Sequence, residues 1–200
     1  MSKAKTKVYD QAYFDRWYRG KNSTDAKALA RKVAVAVAIA ELHLGRPIRS
    51  VLDIGCGEAP WRQPMLKLRP GLHYQGIDAS AYVVQRYGRS RNIALAGFGQ
   101  MQQLRPGPPA DLLICADVLH YVPSAQLNRG LEGFPELCAG VAYIDVFCRE
   151  DAITGDFKGF IARTRAQYRK LFDSIGLTAL GSHCYLSPAC DSPVSALERL

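Results

Sequence analysis

Apolar and polar positions follow one pattern before residue 50 and another after it. In the first part apolar residues recur at helical spacing: Tyr9 with Tyr13, Phe14 with Trp17 and Tyr18, then an alanine- and valine-rich stretch between Asp25 and Gly45. This predicts a helix over 8–20 closed by Gly20, and a second over 25–44 with Asp25 as N-cap and Gly45 as stop. Valine and alanine alternate with strand period at 33–40, but alanine content and length favour helix. After residue 50, short apolar runs bounded by turn residues predict strands at 50–55, 73–78, 92–97, 111–117, 140–147 and 177–187. Helices are expected between them. One follows the first strand, with Pro60 and Pro64 near its first turns. Another spans 81–88 and stops at Gly88. A third starts after Ser124 with the stripe Leu127, Leu131, Phe134 and Leu137, ended or bent by Pro135. The last opens with the capping box Thr164 to Gln167 and ends at Gly176. Residues 105–110, RPGPPA, read as a loop.

Strands alternating with helices imply βαβ units, and hence an α/β fold with a doubly wound, mostly parallel sheet. The extra N-terminal helices pack outside it. The expected division is a basic, aromatic helical extension at 1–45, acting as a lid, and a binding domain at 46–200. No internal repeat is visible.

Composition is that of an ordinary globular chain, 48% hydrophobic and 22% charged. The longest apolar run, Val33 to Ala40, is too short to span a bilayer. No signal-type stretch follows the Lys-rich start, so a cytoplasmic protein is expected. Six scattered cysteines include no C-x-x-C pair. His183, Cys184 and Cys190 could supply three metal ligands, but the spacing favours thiols in a reducing compartment, and no metal is expected. Net charge is +8, and residues 1–32 hold nine cations against three aspartates. Such a segment can meet nucleic acid or an anionic substrate, or can be a solvated helix face.

The chemistry concentrates where strands end. In Val51-Leu52-Asp53-Ile54-Gly55-Cys56-Gly57-Glu58 a buried strand turns on glycines and heads into a helix. Glycine lets a ligand approach the main chain closely. The carboxyl end of the first strand is where open α/β sheets bind ligands, and a helix start offers amide donors. Pro60 stands where a third glycine of a dinucleotide fingerprint would fall, which speaks against a nicotinamide oxidoreductase. Asp78, closing Gly76-Ile77-Asp78-Ala79-Ser80, suits a ribose diol or a helix cap.

V-L-D-I-G-C-G-E resembles motif I of the class I S-adenosylmethionine-dependent methyltransferases. The resemblance implies a Rossmann-like, seven-stranded type of sheet and S-adenosyl-L-methionine as cofactor. It implies that Gly55, Cys56 and Gly57 line the methionine part, with Asp53 at its amino group. Gly76 to Ser80 is similar to the second motif, which implies Asp78 on the ribose and Ala79 beside the adenine. Where the family often carries an adenine-reading acid, this chain has Gly97-Phe98-Gly99-Gln100. Phe98 and Gly99 are the expected adenine neighbours instead. Asp111 to Val122 resembles motif IV, which implies Cys115, Ala116 and Asp117 beside the cofactor, with His120 and Tyr121 towards the acceptor.

His120 has a suitable intrinsic pKa for a general base, or it packs. Methyl transfer needs alignment in a dry site more than it needs a base. Tyr13, Trp17 and Tyr18 are expected as a lid, or as a staple onto the core. Asp156, Phe157 and Phe160 are candidates for a second wall. Asp117-Val118-Leu119 is not the motif that grips a nucleobase amino group, and no Pro-Cys nucleophile or metal-binding Asp-Asn pair is present. A small-molecule acceptor is therefore expected. An RNA methyltransferase and a non-catalytic methyltransferase-like interaction protein are the alternatives.

Overall fold

A computed structural model describes residues 9–19, 25–152 and 156–194. The Lys-rich start, Gly20 and Lys21 lie outside the described residues. Seven strands are formed: β1 (Ser50–Ile54), β2 (His73–Asp78), β3 (Ile93–Leu95), β4 (Ala110–Ala116), β5 (Cys138–Asp145), β6 (Thr178–Gly181) and β7 (Cys184–Leu186). They make one sheet in the order β3-β2-β1-β4-β5-β7-β6. The first five are mutually parallel, and β7 runs antiparallel between β5 and β6. The expected α/β, doubly wound, mostly parallel architecture is the one observed. The chain changes direction of winding between β1 and β4, so a crevice opens at their carboxyl ends.

Leu112, Leu113, Ile114 and Cys115 in β4 are all fully buried, as in a strand covered on both faces. Alternation then sorts them. Val51, Leu112, Ile114, Val141 and Tyr143 face helix α2 (Ala26–Leu44), which buries Leu29, Val33, Ala36, Val37 and Ala40 at helical spacing. Leu52, Ile54, Leu113, Cys115, Ala142 and Ile144 point the other way. There they meet α5 (Ser124–Leu131), α6 (Phe134–Leu137) and α7 (Arg165–Ser174) through Leu127, Leu131, Phe134, Tyr168 and Phe172. Helix α2 is helical throughout 33–40, from its Asp25 cap to Gly45 in the left-handed conformation. Helix α7 has the expected capping box, and Gly176 follows it at φ +75°. Among the described residues no helix is long and apolar enough to cross a membrane.

Four boundaries differ from expectation, each for a tertiary reason. Helix α4 (Ala81–Arg91) runs through Gly88 and ends at Asn92, which takes the left-handed conformation. A Cβ at Gly88 would lie 3.0 Å from the Ile93 carbonyl, so the glycine serves the tight return into β3. Strand β3 is correspondingly short. The stripe from Leu127 to Leu137 breaks at Glu132-Gly133 instead of at Pro135, which sits in the first turn of α6. Residues 177–187 form a hairpin, not one strand, because Gly181, Ser182 and His183 all have positive φ and reverse the chain.

At Gly133 an added Cβ would meet the Met101 carbonyl at 2.1 Å, whereas at Gly107 it would meet nothing within 4 Å. Gly133→Ala should therefore cost about 1–3 kcal/mol of stability, and Gly107→Ala less than about 0.5 kcal/mol. Urea denaturation of the two variants would check this, and equal midpoints would contradict the packing described.

Candidate functional site

The register Ile54↔Ile77 carries the ends of β1 and β2 to the same level. The two turns that follow are stitched together there. The amides of Gly55 and Cys56 donate to the Ile77 carbonyl at 2.7 and 3.1 Å. The Gly57 amide donates to Asp78 Oδ2 at 2.7 Å, and the Ser80 amide to Asp78 Oδ1 at 2.8 Å. Gly55 and Gly57 have φ of +70° and +53°. Contact also requires glycine: a Cβ at 55 would sit 2.4 Å from Val118 Cγ2, and one at 57 would sit 2.2 Å from the Tyr18 hydroxyl. Helix α3 (Arg62–Leu68) starts several residues later. The glycine turn therefore does not open directly onto a helix start, and its own amides are already engaged.

Two carboxylates lie under this turn. Asp53 is buried and accepts from the Tyr74 hydroxyl at 2.6 Å. Burial pushes its carboxyl up to about 7, against the pull of the Tyr74 bond, and the Asp78 charge adds to the rise. Burial also raises Asp78, although the Ser80 and Gly57 amides favour its ionised form.

Helix α1 (Gln11–Tyr18) covers the turn. Asp10 caps it by accepting from the Tyr13 amide, and Phe14 is its buried anchor, stacked on Tyr82 at 5.8 Å between ring centroids. Tyr18 lies against Phe14 with its hydroxyl over Gly57. Burial, then the charge of Asp78, drives that phenol well above the usual tyrosine range. Both ends of the helix are tied down. Ser80 Oγ donates to the Tyr9 carbonyl at 2.6 Å, and Arg19 donates to Glu58 at 2.7 Å and to the Tyr87 hydroxyl at 3.0 Å.

The far wall follows β4. Asp117 adopts φ 66°, its amide donates to the Asp145 carbonyl at 2.8 Å, and its side chain is 71% exposed. His120 is only 1% exposed. Its Nε2 lies 3.5 Å from Asp117 Oδ1, and its ring packs on Tyr121, Phe147 and Phe160. The Tyr121 hydroxyl donates to the Asp156 carbonyl at 2.8 Å. Buried Arg163 fastens this loop by donating to the carbonyls of Leu119 and Val122 at 3.2 and 2.7 Å.

Asp53, Gly55, Cys56, Gly57, Asp78 and Tyr18 thus come together at one crevice, with exposed Ala79 beside them and Tyr13 packed on Tyr9 and Phe14. Asp117, His120 and Tyr121 form its opposite side. Other expected residues are placed differently. Phe98 is buried against Phe134 and abuts Gly130, so its ring faces the core. Gly99 lies against Gln126. Cys115 is wholly buried within β4, and half-buried Ala116 ends that strand. Trp17 pairs with Arg16, whose guanidinium carbon lies 5.5 Å from its ring centroid. No sequence signal marks Tyr74 or Arg163, whose roles depend on contacts between segments far apart in sequence.

An adenosyl amino acid has a cationic amine and a sugar diol. The carboxylates of buried Asp53 and half-buried Asp78 and the Tyr18 hydroxyl are a donor and acceptor set that fits those groups. Two open grooves lie elsewhere, one between α7 and the β6–β7 hairpin and one beneath the amino ends of β1 and β2. Neither contains these residues. Among the described residues no group of three potential metal ligands occurs.

Residues 21–189 match the family model of a methyltransferase domain. No curated protein matches the chain by sequence. Several solved structures share its fold. DesVI of Streptomyces venezuelae has a TM-score of 0.64 at 13% identity, over 90% of this chain and 98% of its own. An amino pentose methyltransferase from Micromonospora echinaspora, solved with S-adenosylmethionine bound, gives 0.64 at 16% identity over 90% and 98%. A magnesium protoporphyrin IX methyltransferase from Synechocystis, solved with S-adenosylhomocysteine, gives 0.62 at 18% over 89% and 94%.

The high value for Asp53 has a consequence for stability. Between about pH 4 and pH 7 the folded chain retains a proton that the unfolded chain releases, so stability falls as pH rises through that window. Asp53→Asn removes this loss. It should raise the unfolding free energy at pH 8 by on the order of 3 kcal/mol and change it little at pH 4. Urea denaturation at both pH values measures this, and a constant difference between the two proteins would refute the assignment.

Proposed function

The chain belongs to the methyltransferase domain family, and on that premise we propose that it is an S-adenosylmethionine-dependent enzyme that methylates a small-molecule acceptor. The observation that carries this reading is the pair of carboxylates, buried Asp53 and half-buried Asp78, beneath glycines at positive φ that leave no room for a side chain under Val118 and Tyr18. In this reading Asp53 holds the amine of the methionine part, Asp78 the ribose hydroxyls, and Ala79 lies by the adenine. When bound, the cofactor supplies a methyl carbon made electrophilic by its sulfonium.

The chain's own part is to align and to exclude water. Phe14 and Tyr18 seal the glycine turn, and Tyr13 closes the acceptor side. His120 is sheltered behind Asp117, so it orients that carboxylate and the Tyr121 ring and does not itself meet the acceptor. The small-molecule reading draws support from fold neighbours that are an amino pentose methyltransferase, a magnesium protoporphyrin IX methyltransferase and the plantazolicin methyltransferase BamL. It also draws on charge. Two of the cations that suggested nucleic acid are committed to internal pairs, Arg19 to Glu58 and Lys32 to Asp145.

Calorimetric titration with S-adenosylhomocysteine should give micromolar affinity, and Asp78→Ala should weaken it at least about tenfold, the loss expected for a charge-assisted bond. No heat at high micromolar concentration would sink the reading, and an unchanged affinity in the variant would remove Asp78 from the site.

A further inference from the structure

We propose that the acceptor carries a flat apolar ring, seated on a wall of phenylalanines formed by Phe147, Phe157 and Phe160. This rests on the methyltransferase reading above and gives its acceptor a chemical class. The chain has seven phenylalanines, all among the described residues. Phe14, Phe98, Phe134 and Phe172 are buried in the core. The other three fall together in the segment that follows β5. Phe147 and Phe160 are half-buried there, and Phe157 is 58% exposed. A single exposed apolar side chain is ordinary on a protein surface. Phe157 differs in its company, because every phenylalanine that the core leaves uncovered stands beside the same crevice.

The rings form a connected array. His120, on the far side of the crevice, has its ring 5.5 Å from both Phe147 and Phe160. Phe157 stands edge to face on Phe160 at 6.3 Å between centroids. The turn that presents Phe157 is anchored. The Phe160 amide donates to the Phe157 carbonyl at 3.1 Å, the Lys158 amide donates to Asp156 Oδ1 at 2.9 Å, and Gly159 has φ +81°. The Tyr121 hydroxyl ties the same turn to the crevice wall through the Asp156 carbonyl. An exposed ring on an anchored turn is a preorganised contact, so little ordering cost is added when a ligand meets it.

The polar groups around the array bond to one another. The Ile161 amide donates to the His120 carbonyl at 2.8 Å, and the Phe147 amide to His120 Nδ1 at 3.5 Å. The Arg149 amide donates to the Arg163 carbonyl at 2.8 Å, while the Arg163 guanidinium holds the carbonyls of Leu119 and Val122. What the three phenylalanines add to this wall is ring carbon, which offers a ligand no hydrogen bond. A sugar or other polyol set against it loses hydration without gaining partners. A flat ring buries apolar area there and extends the edge-to-face array. A saturated ring of the same size gains the area but not the ring-to-ring contact.

Matched probes test this. The full chain, saturated with S-adenosylhomocysteine, is titrated with benzyl alcohol, cyclohexylmethanol and glucose and followed by NMR chemical shifts. Benzyl alcohol should bind at least about fivefold more tightly than cyclohexylmethanol, with glucose weakest. Phe157→Ala should weaken benzyl alcohol by at least about fivefold, whereas Phe157→Tyr keeps the ring and should keep the affinity. Leu95→Ala removes an equally exposed apolar side chain from β3 and should leave the affinity unchanged. No saturable binding of benzyl alcohol, equal binding of the two ring alcohols, or tighter binding of glucose would overturn the proposal. So would an undiminished affinity in Phe157→Ala, or an equal loss in Leu95→Ala. Failure of S-adenosylhomocysteine itself to bind would overturn it together with the methyltransferase reading. Normal cofactor-product binding without an aromatic preference would overturn only the acceptor class.

Discussion

The carboxylate of Asp78 joins the two turns on which the site depends. One oxygen takes the Gly57 amide from the turn after β1, and the other takes the Ser80 amide at the start of α4. Adjacent parallel strands bring their ends side by side without fixing what their loops do next. The Asp78 bridge, with the Ile77 carbonyl receiving two more amides, fixes them. Once Gly57 is held there at positive φ, the space above it is too small for any side chain of its own. Tyr18 and Phe14 then close over it. Ser80 adds a second function by donating to the Tyr9 carbonyl, so the same junction positions helix α1.

Helix α1 is held by modest interactions. It has eight residues, too few to be stable alone. Burial of Phe14 contributes about 1.5–3 kcal/mol and the Asp10 cap about 1 kcal/mol. The Arg19–Glu58 pair has a guanidinium 40% exposed, which makes it a weak clamp in salt. A segment held this lightly over a crevice belongs to the part of a protein that opens first.

Much of the scaffold was legible in the sequence because its signals are local. The buried strands show as unbroken apolar runs, and Asp25, Gly45, Thr164 and Gly176 mark helix ends by their own chemistry. What was not legible depended on distant partners. Gly88 looks like a stop until the Ile93 carbonyl is seen against it, and Gly133 breaks a helical stripe because Met101 backs onto it. The turn at Gly181-Ser182-His183 was hidden inside an apolar run. The motifs single out Asp53, Gly55, Gly57 and Asp78, and the fold places these four at one crevice. Phe98 was expected to face a ligand yet faces Phe134, since one aromatic in a loop gives no hint of which way it points. Tyr74 lies in β2, and only the pairing of β2 with β1 brings its hydroxyl to Asp53.

A buried carboxylate in β1 beside a half-buried one at the end of β2 is an unfavourable way to build a stable sheet. Both lose hydration, and the charge of Asp78 adds to the cost of ionising Asp53. Tyr74 and the two amides at Asp78 offset part of this, and the upward shift of Asp53 shows that part of the cost remains. On the proposed reading a cationic, hydroxyl-bearing ligand would supply further donors to both carboxylates, which would link ligand affinity and folding stability through the same two side chains. On that reading a substitution that relieves the burial, at Asp53 above all, would stabilise the sheet at the expense of the grip it gives on the ligand.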